Sequence, residues 1–208
     1  NPTGPMHVGH CRGAIYGDVL SNLFKFNGNK VIKEYYINDF GNQIKNFTKS
    51  VYLRIREIKY KEKFVNQSDL YPGDYVVDIA RSVIDENIID NFDNFDKCYK
   101  KLSEISLKYF LKMIKDDLNK LGIKHDNFFS ESKLVEENLV NKSIDLLKKK
   151  NLVELGYLAP PKGEDSNEWK NKKKLIFKST LFGDDSDRAL QKNDGSWTYF
   201  ANDVAYHM

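Results

Sequence analysis

The sequence is poor in cysteine and arginine, and each shortage narrows what the chain can be. Cys11 and Cys98 are its two cysteines. They offer no disulfide framework and no zinc-ligand spacing, so a reducing compartment, the cytoplasm, is the expected location. No run of ~18 apolar residues occurs, so no membrane span is expected. No secretory signal opens the chain. Arginine is confined to positions 12, 54, 56, 81 and 188, leaving lysine to supply nearly all the positive charge. Lysine attracts phosphate as a point charge, whereas arginine makes bidentate contacts. The bias therefore leans toward general backbone attraction over base reading, and an A/T-rich genome explains it equally well, given the many Asn, Ile and Phe residues. No internal repeat is visible.

What remains is a globular composition. The 208 residues are 40% hydrophobic, 30% charged and 13% aromatic, which argues against disorder. A chain of this size fits one large domain, or one domain carrying an insertion, and buries roughly 70% of its unfolded surface. The formal charge of +3 permits contact with RNA without requiring it.

The opening Asn1-Pro2-Thr3-Gly4-Pro5 breaks both helix and strand. From about Gly9, Ile15, Val19, Leu20, Leu23 and Phe24 recur at helical spacing, and Asn27-Gly28 signals a left-handed stop. The β-rich run 31–37 follows, giving the loop, helix and strand of a parallel α/β sheet. Three helices are then predicted around Ile44–Ile58, Val76–Ile84 and Leu102–Leu121, and a fourth through Val140, Ile144 and Leu147. Short strands return at Leu175-Ile176-Phe177, at Ala189-Leu190 and at Trp197–Phe200, the last after an Asn193-Asp194-Gly195 turn. The lysine-rich run 170–174 reads as a solvated loop.

The sharpest feature is His7-Val8-Gly9-His10 at the start of the first helix. A helix N-terminus offers free N–H groups and a positive dipole end to phosphates. Gly9 lets a base or phosphate approach the backbone. Two imidazoles three positions apart can both donate to phosphate oxygens as charge builds up. That chemistry suits a nucleoside triphosphate. The bare tetrapeptide fits a pair of capping or surface histidines equally well; a zinc pair lacks further ligands.

The residues around the tetrapeptide separate these readings. Asn1-Pro2-Thr3-Gly4-Pro5-Met6-His7-Val8-Gly9-His10-Cys11-Arg12-Gly13 resembles the HIGH signature of class I aminoacyl-tRNA synthetases, in its bacterial arginyl form. Blocks at 34–44, 182–188 and 194–207 are similar to later segments of that family, in family order, while 45–175 matches mainly in length and helical character. The resemblance implies the first half of a Rossmann-like HUP nucleotide-binding fold with a parallel sheet, interrupted by a largely helical connective insertion. The expected division is 1–44 in the nucleotide fold, 45–190 in the insertion, and 191–208 returning as a strand and the start of a helix.

The resemblance also implies an arginine–tRNA ligase that uses ATP with Mg²⁺, acts on L-arginine and tRNA(Arg), and works as a cytoplasmic monomer when full length. His7, Gly9 and His10 match the ATP-binding and catalytic motif. Asn1, His10, Tyr199 and Asp203 match arginine-binding positions, with Asp203 taking the guanidinium. Asp39, Gly41 and Gln43 are expected as support beside the pocket, and Gln43 could face substrate. No residue is named as a metal ligand. From chemistry alone, Asp203 reads first as a helix cap and Tyr199 as core, ahead of a binding role. The second signature, a KMSKS-type lysine loop, is absent, as are the later half of the nucleotide fold, the N-terminal domain and the anticodon-binding domain. A truncated chain, inactive alone, is therefore expected. A cysteinyl-type class I synthetase and a small H-x-G-H nucleotidyltransferase are the alternatives.

Overall fold

A computed structural model describes residues 2–158 and 172–208. Two compact units emerge, Asn1–Ser130 and Glu131–Met208. Asn1 and residues 170–171 of the lysine-rich run lie outside the described residues, and Lys174 opens a strand.

The first unit runs α1 (Val8–Phe26), β1 (Glu34–Ile37), α2 (Asn42–Tyr60), α3 (Asp74–Glu86), α4 (Phe95–Lys120) and β2 (Asn127–Ser130). β1 and β2 pair in parallel, Glu34 opposite Asn127 through Ile37 opposite Ser130. Parallel neighbours need a crossover, and α2 to α4 supply it. Tyr35 stacks on Phe128 and Tyr36 on Phe129 across the pair, which fixes the register. The periodic positions of α2 to α4 make the core: Phe47, Val51, Val76, Leu102 and Phe110 are fully buried. Each such side chain contributes about 1.5–3 kcal/mol. α4 begins seven residues before its first predicted apolar position because the Asn94 side chain accepts the Lys97 N–H at 3.2 Å.

α1 packs differently from α2 to α4. The helix forms and stops where predicted, with Gly28 at φ 84°. Its apolar stripe, however, is not core in this unit: Ile15, Val19, Leu20, Leu23 and Phe24 are 41–55% exposed. The half-buried face is Cys11, Ala14, Asp18 and Ser21, at spacings of three, four and three. These short side chains bring the helix backbone close to its neighbours.

The second unit holds α5 (Ser132–Glu136), α6 (Leu139–Lys149), β3 (Val153–Gly156), β4 (Lys174–Phe177), a short 3-10 turn (Ser179–Phe182), β5 (Arg188–Ala189) and α7 (Tyr199–Tyr206). β3, β4 and β5 form an antiparallel sheet in that order. Val140 and Ile144 of α6 are buried with Ala201 and Ala205 of α7, and those two helices pack together. The predicted strand at Trp197–Phe200 is corrected here. Trp197 makes an isolated bridge to Gln191, while Tyr199 and Phe200 already belong to α7. Thr198 decides this: its Oγ1 accepts the Ala201 N–H at 3.3 Å, an N-cap that starts a helix.

Candidate functional site

His7 stands at the N-cap of α1, just outside the helix, and its Nδ1 accepts the Gly9 N–H at 3.1 Å. The His7 N–H in turn donates to His10 Nδ1 at 3.4 Å, which closes a capping box made of two imidazoles. The rings stack with centroids 3.7 Å apart. An accepting Nδ1 carries no proton, so this bonding pattern assigns the proton of each neutral ring to Nε2. Both Nε2–H groups are left as donors at the N-terminus of α1, where the box itself already takes up the His7 and Gly9 N–H groups. The capping reading and the phosphate-donor reading, rivals in the sequence, are here compatible: one ring nitrogen caps and the other is spare. Loss of water contact, then the neighbouring His7, pushes the His10 pKa below its ordinary value. Protonation of His10 would remove the acceptor that completes the box.

Gly9 has a second role besides an open backbone. A Cβ there would sit 3.0 Å from His7 Cε1 and 3.2 Å from His7 Nδ1. The capping ring already occupies the space a side chain would need.

Two openings flank the motif in the first unit. A cavity of about 360 Å³ is lined by Thr3, His7, His10, Gln43, Tyr71 and Tyr75 among others. Another, of about 420 Å³, includes Gly9, His10, Gly13, Tyr35 and His125 in its wall. His10 borders both. The loop before the motif is anchored by the Tyr75 hydroxyl, which donates to the Thr3 carbonyl at 2.6 Å. Burial, then the neighbouring Tyr71, pushes the Tyr75 pKa up to about 12, so the hydroxyl keeps its proton.

Of the supporting residues, Asp39 accepts the Ser130 hydroxyl at 2.5 Å and joins the ends of β1 and β2. Gly41 is the N-cap of α2 at φ 94°, a conformation that disfavours other residues. Gln43 lines the same cavity as both histidines.

Tyr199 and Asp203 lie four residues apart on α7, in the second unit, so they share one helix face. The structure removes both plain readings. Asp203 is inside the helix, where Thr198 is the cap, and Tyr199 is 67% exposed, so it is not core. Asp203 borders a mostly apolar hollow with Leu146, Leu147, Phe200 and Val204. Sequence reasoning misses Glu131, which is 2% exposed and accepts the Asn202 side-chain N–H at 2.8 Å. This buried carboxylate fixes the residue next to Asp203. No periodicity marks it, because its burial comes from packing between segments seventy residues apart. Among the described residues, no group of three or more His, Cys, Asp and Glu side chains is placed to hold a metal ion, and no helix is long and apolar enough to cross a membrane.

Comparison with known proteins agrees with this geometry. The family model described as "tRNA synthetases class I (R), catalytic domain" matches residues 1–208. The chain is 59% identical over its whole length to an arginine–tRNA ligase of Pelagibacter ubique, of which it spans 36%. It is 51% identical to that of Ehrlichia ruminantium strain Welgevonden, again spanning 36%. The chain thus covers about a third of the length of these curated relatives. A solved structure, a putative arginyl-tRNA synthetase from Campylobacter jejuni, superposes with a TM-score of 0.80 at 31% identity, over all of this chain and 42% of that one. The arginyl-tRNA synthetase of Plasmodium falciparum, at 22% identity and a TM-score of 0.58 over 99% of this chain and 32% of its own, shares the fold. Each of these matches is to the arginyl type among the readings that the sequence left open. With the histidine-capped α1, the parallel β1–β2 pair and the α7 face all falling inside the matched span, the chain belongs to the class I arginyl-tRNA synthetase catalytic-domain family.

Proposed function

We propose that this chain is the opening part of the catalytic domain of an arginine–tRNA ligase, a cytoplasmic monomer when intact. In this reading it activates L-arginine with ATP and passes it to tRNA(Arg). Residues 1–44 and 191–208 belong to the nucleotide fold and 45–190 to the connective insertion. β2, within that span, returns to the first sheet. The observation that carries the reading is the histidine capping box, which leaves two Nε2–H donors at a helix N-terminus beside a cavity.

The arginine carboxylate attacks the α-phosphorus of ATP; an O–P bond forms and the bond to pyrophosphate breaks. The protein supplies no covalent nucleophile. His7 and His10 donate from Nε2 to phosphate oxygens as charge shifts onto them, and the α1 N-terminus adds its dipole. Gly9 provides the bare backbone against which adenine packs. Mg²⁺ accompanies the triphosphate, and the described residues include no clustered ligand set for it; no step is assigned to it. Asn1 and His10 hold the amino-acid end of arginine. Asp203 accepts the guanidinium by charge-assisted hydrogen bonds, with Tyr199 beside it. Asp39 and Gly41 position the adjoining loop, and Gln43 faces the cavity.

The test is Asp203→Ala in the intact protein that carries this chain. A lost hydrogen bond to a charged group is worth about 1.5–3 kcal/mol, so the KM for arginine in ATP–pyrophosphate exchange should rise roughly 10- to 150-fold. ATP affinity should stay within about twofold. Equal loss of both would remove Asp203 from guanidinium recognition. These 208 residues alone should form no measurable arginyl-tRNA; robust charging by them would refute the view that further segments are needed.

A further inference from the structure

We propose that Asp18 and Lys33 form a positioning pair that sets where the His7–His10 end of α1 lies. This rests on the phosphate-donor reading of those histidines. In this unit the inward face of α1 consists of the short residues Cys11, Ala14, Asp18 and Ser21, and Asp18 is the one of them that carries a charge.

On that face a directional contact ties α1 to the segment that leads into β1. Lys33 Nζ donates to Asp18 Oδ1 at 2.8 Å, with the two side chains only 15% and 18% exposed. Both partners are themselves fixed. The second carboxylate oxygen of Asp18 accepts the Asn22 side-chain N–H at 2.9 Å. The Lys33 backbone is clamped to the segment entering β2: its N–H donates to Asp126 Oδ2 at 2.7 Å, and its carbonyl accepts the Asp126 and Asn127 N–H groups at 2.7 and 3.2 Å. Lys33 is thus a post on the β1–β2 sheet, and Asp18 is the point where α1 is pinned to it.

Leverage makes the pin matter. Asp18 lies eleven residues from His7 along the chain, about 16 Å of helix. A tilt of about 5° at the pin moves His7 by roughly 1.4 Å. Displacement of a positioning group by about 1 Å costs up to about 100-fold in rate. A surface ion pair that only added stability would show no such amplification.

The experiment uses the intact protein and measures kcat and KM for ATP in arginine-dependent pyrophosphate exchange, with thermal melting alongside. Asp18→Ala, Asp18→Asn and Lys33→Met should each lower kcat about 10- to 100-fold, with KM for ATP within threefold and melting within a few degrees. The Asp18→Ala/Lys33→Met double variant should be no slower than either single change, because both remove the same pin. Lys33→Arg should retain most of kcat. Unchanged kcat with lowered melting, or single effects that multiply in the double variant, would overturn the proposal. His7→Ala and His10→Ala separate the two layers. If they abolish exchange while the pair variants do not, only the positioning inference fails; if they leave exchange intact, the phosphate-donor reading fails first.

Discussion

Replacing Gly9 with alanine tests the histidine capping box most directly. The new Cβ would lie 3.0 Å from His7 Cε1 and 3.2 Å from Nδ1, closer than ordinary carbon contacts. The ring must swing by a few tenths of an ångström, which stretches and weakens the bond it now accepts from the Gly9 N–H at 3.1 Å. Two stability effects then oppose each other. Weakening an N-cap costs up to about 1 kcal/mol, while alanine in place of glycine in a helix returns about the same. Net stability should therefore change little. Function should not be spared, because in the proposed role the displaced ring carries a donor aimed at developing charge. Removing one such donor costs about 10²- to 10³-fold in rate. The assay is arginine-dependent pyrophosphate exchange by the intact protein, paired with thermal melting. Gly17→Ala serves as the control: it lies in the same helix and a Cβ there meets nothing within 4 Å. It should raise stability by up to about 1 kcal/mol and leave exchange intact. Exchange by Gly9→Ala within threefold of the unsubstituted protein would refute the claim that the His7 ring needs the empty space over Gly9.

Thr198 both caps α7 and donates to the Ala189 carbonyl at 2.8 Å. Thr198→Ala should cost about 1 kcal/mol in denaturant unfolding of the second unit, with Thr198→Ser recovering most of it; an unchanged midpoint would mean that α7 does not depend on this cap. The Arg188 guanidinium, bonded to both carboxylate oxygens of Asp184 at 2.6 Å, holds the Asp184 pKa down to about 2 against an ordinary 3.8. A depressed carboxylate contributes stability that is present above the ordinary value and lost as pH falls through about 2. An NMR titration of Asp184 should show that low midpoint, and Arg188→Gln should return it toward 3.8; a midpoint near 3.8 with Arg188 in place would contradict the pairing.

Local chemistry makes several features legible in the sequence. The α2 to α4 helices follow from apolar spacing alone, since Phe47, Val51 and Ile55 on α2 are all buried. The His7–His10 motif is legible because its neighbours in the chain are also its neighbours in space, whereas Asp203 and Tyr199 are singled out by the family resemblance and share a face only because the segment turns out to be the helix α7. β2 is not legible: its Asn127–Ser130 segment is too short to signal itself and exists through pairing with β1, more than ninety residues earlier. The Trp197–Phe200 run looks like a strand for the converse reason. Its aromatic content suggests β structure, but the Thr198 side chain satisfies a helix N-terminus there.

The sequence by itself pointed to candidate residues for the chemistry and to where most of the helices lie, because spacing and turn residues act over a few positions. Tertiary structure decided what each face and each atom does. Periodicity announces that the Ile15–Phe24 stripe of α1 is apolar, but not that Cys11, Ala14, Asp18 and Ser21 form the face turned inward in this unit. The order His-Val-Gly-His names two imidazoles; only their mutual geometry commits each Nδ1 to the cap and leaves each Nε2 free. Lys33 and Glu131 acquire their roles from partners far along the chain, Asp126 and Asn202. Such long-range pairings depend on how the whole chain closes on itself, which no local pattern specifies.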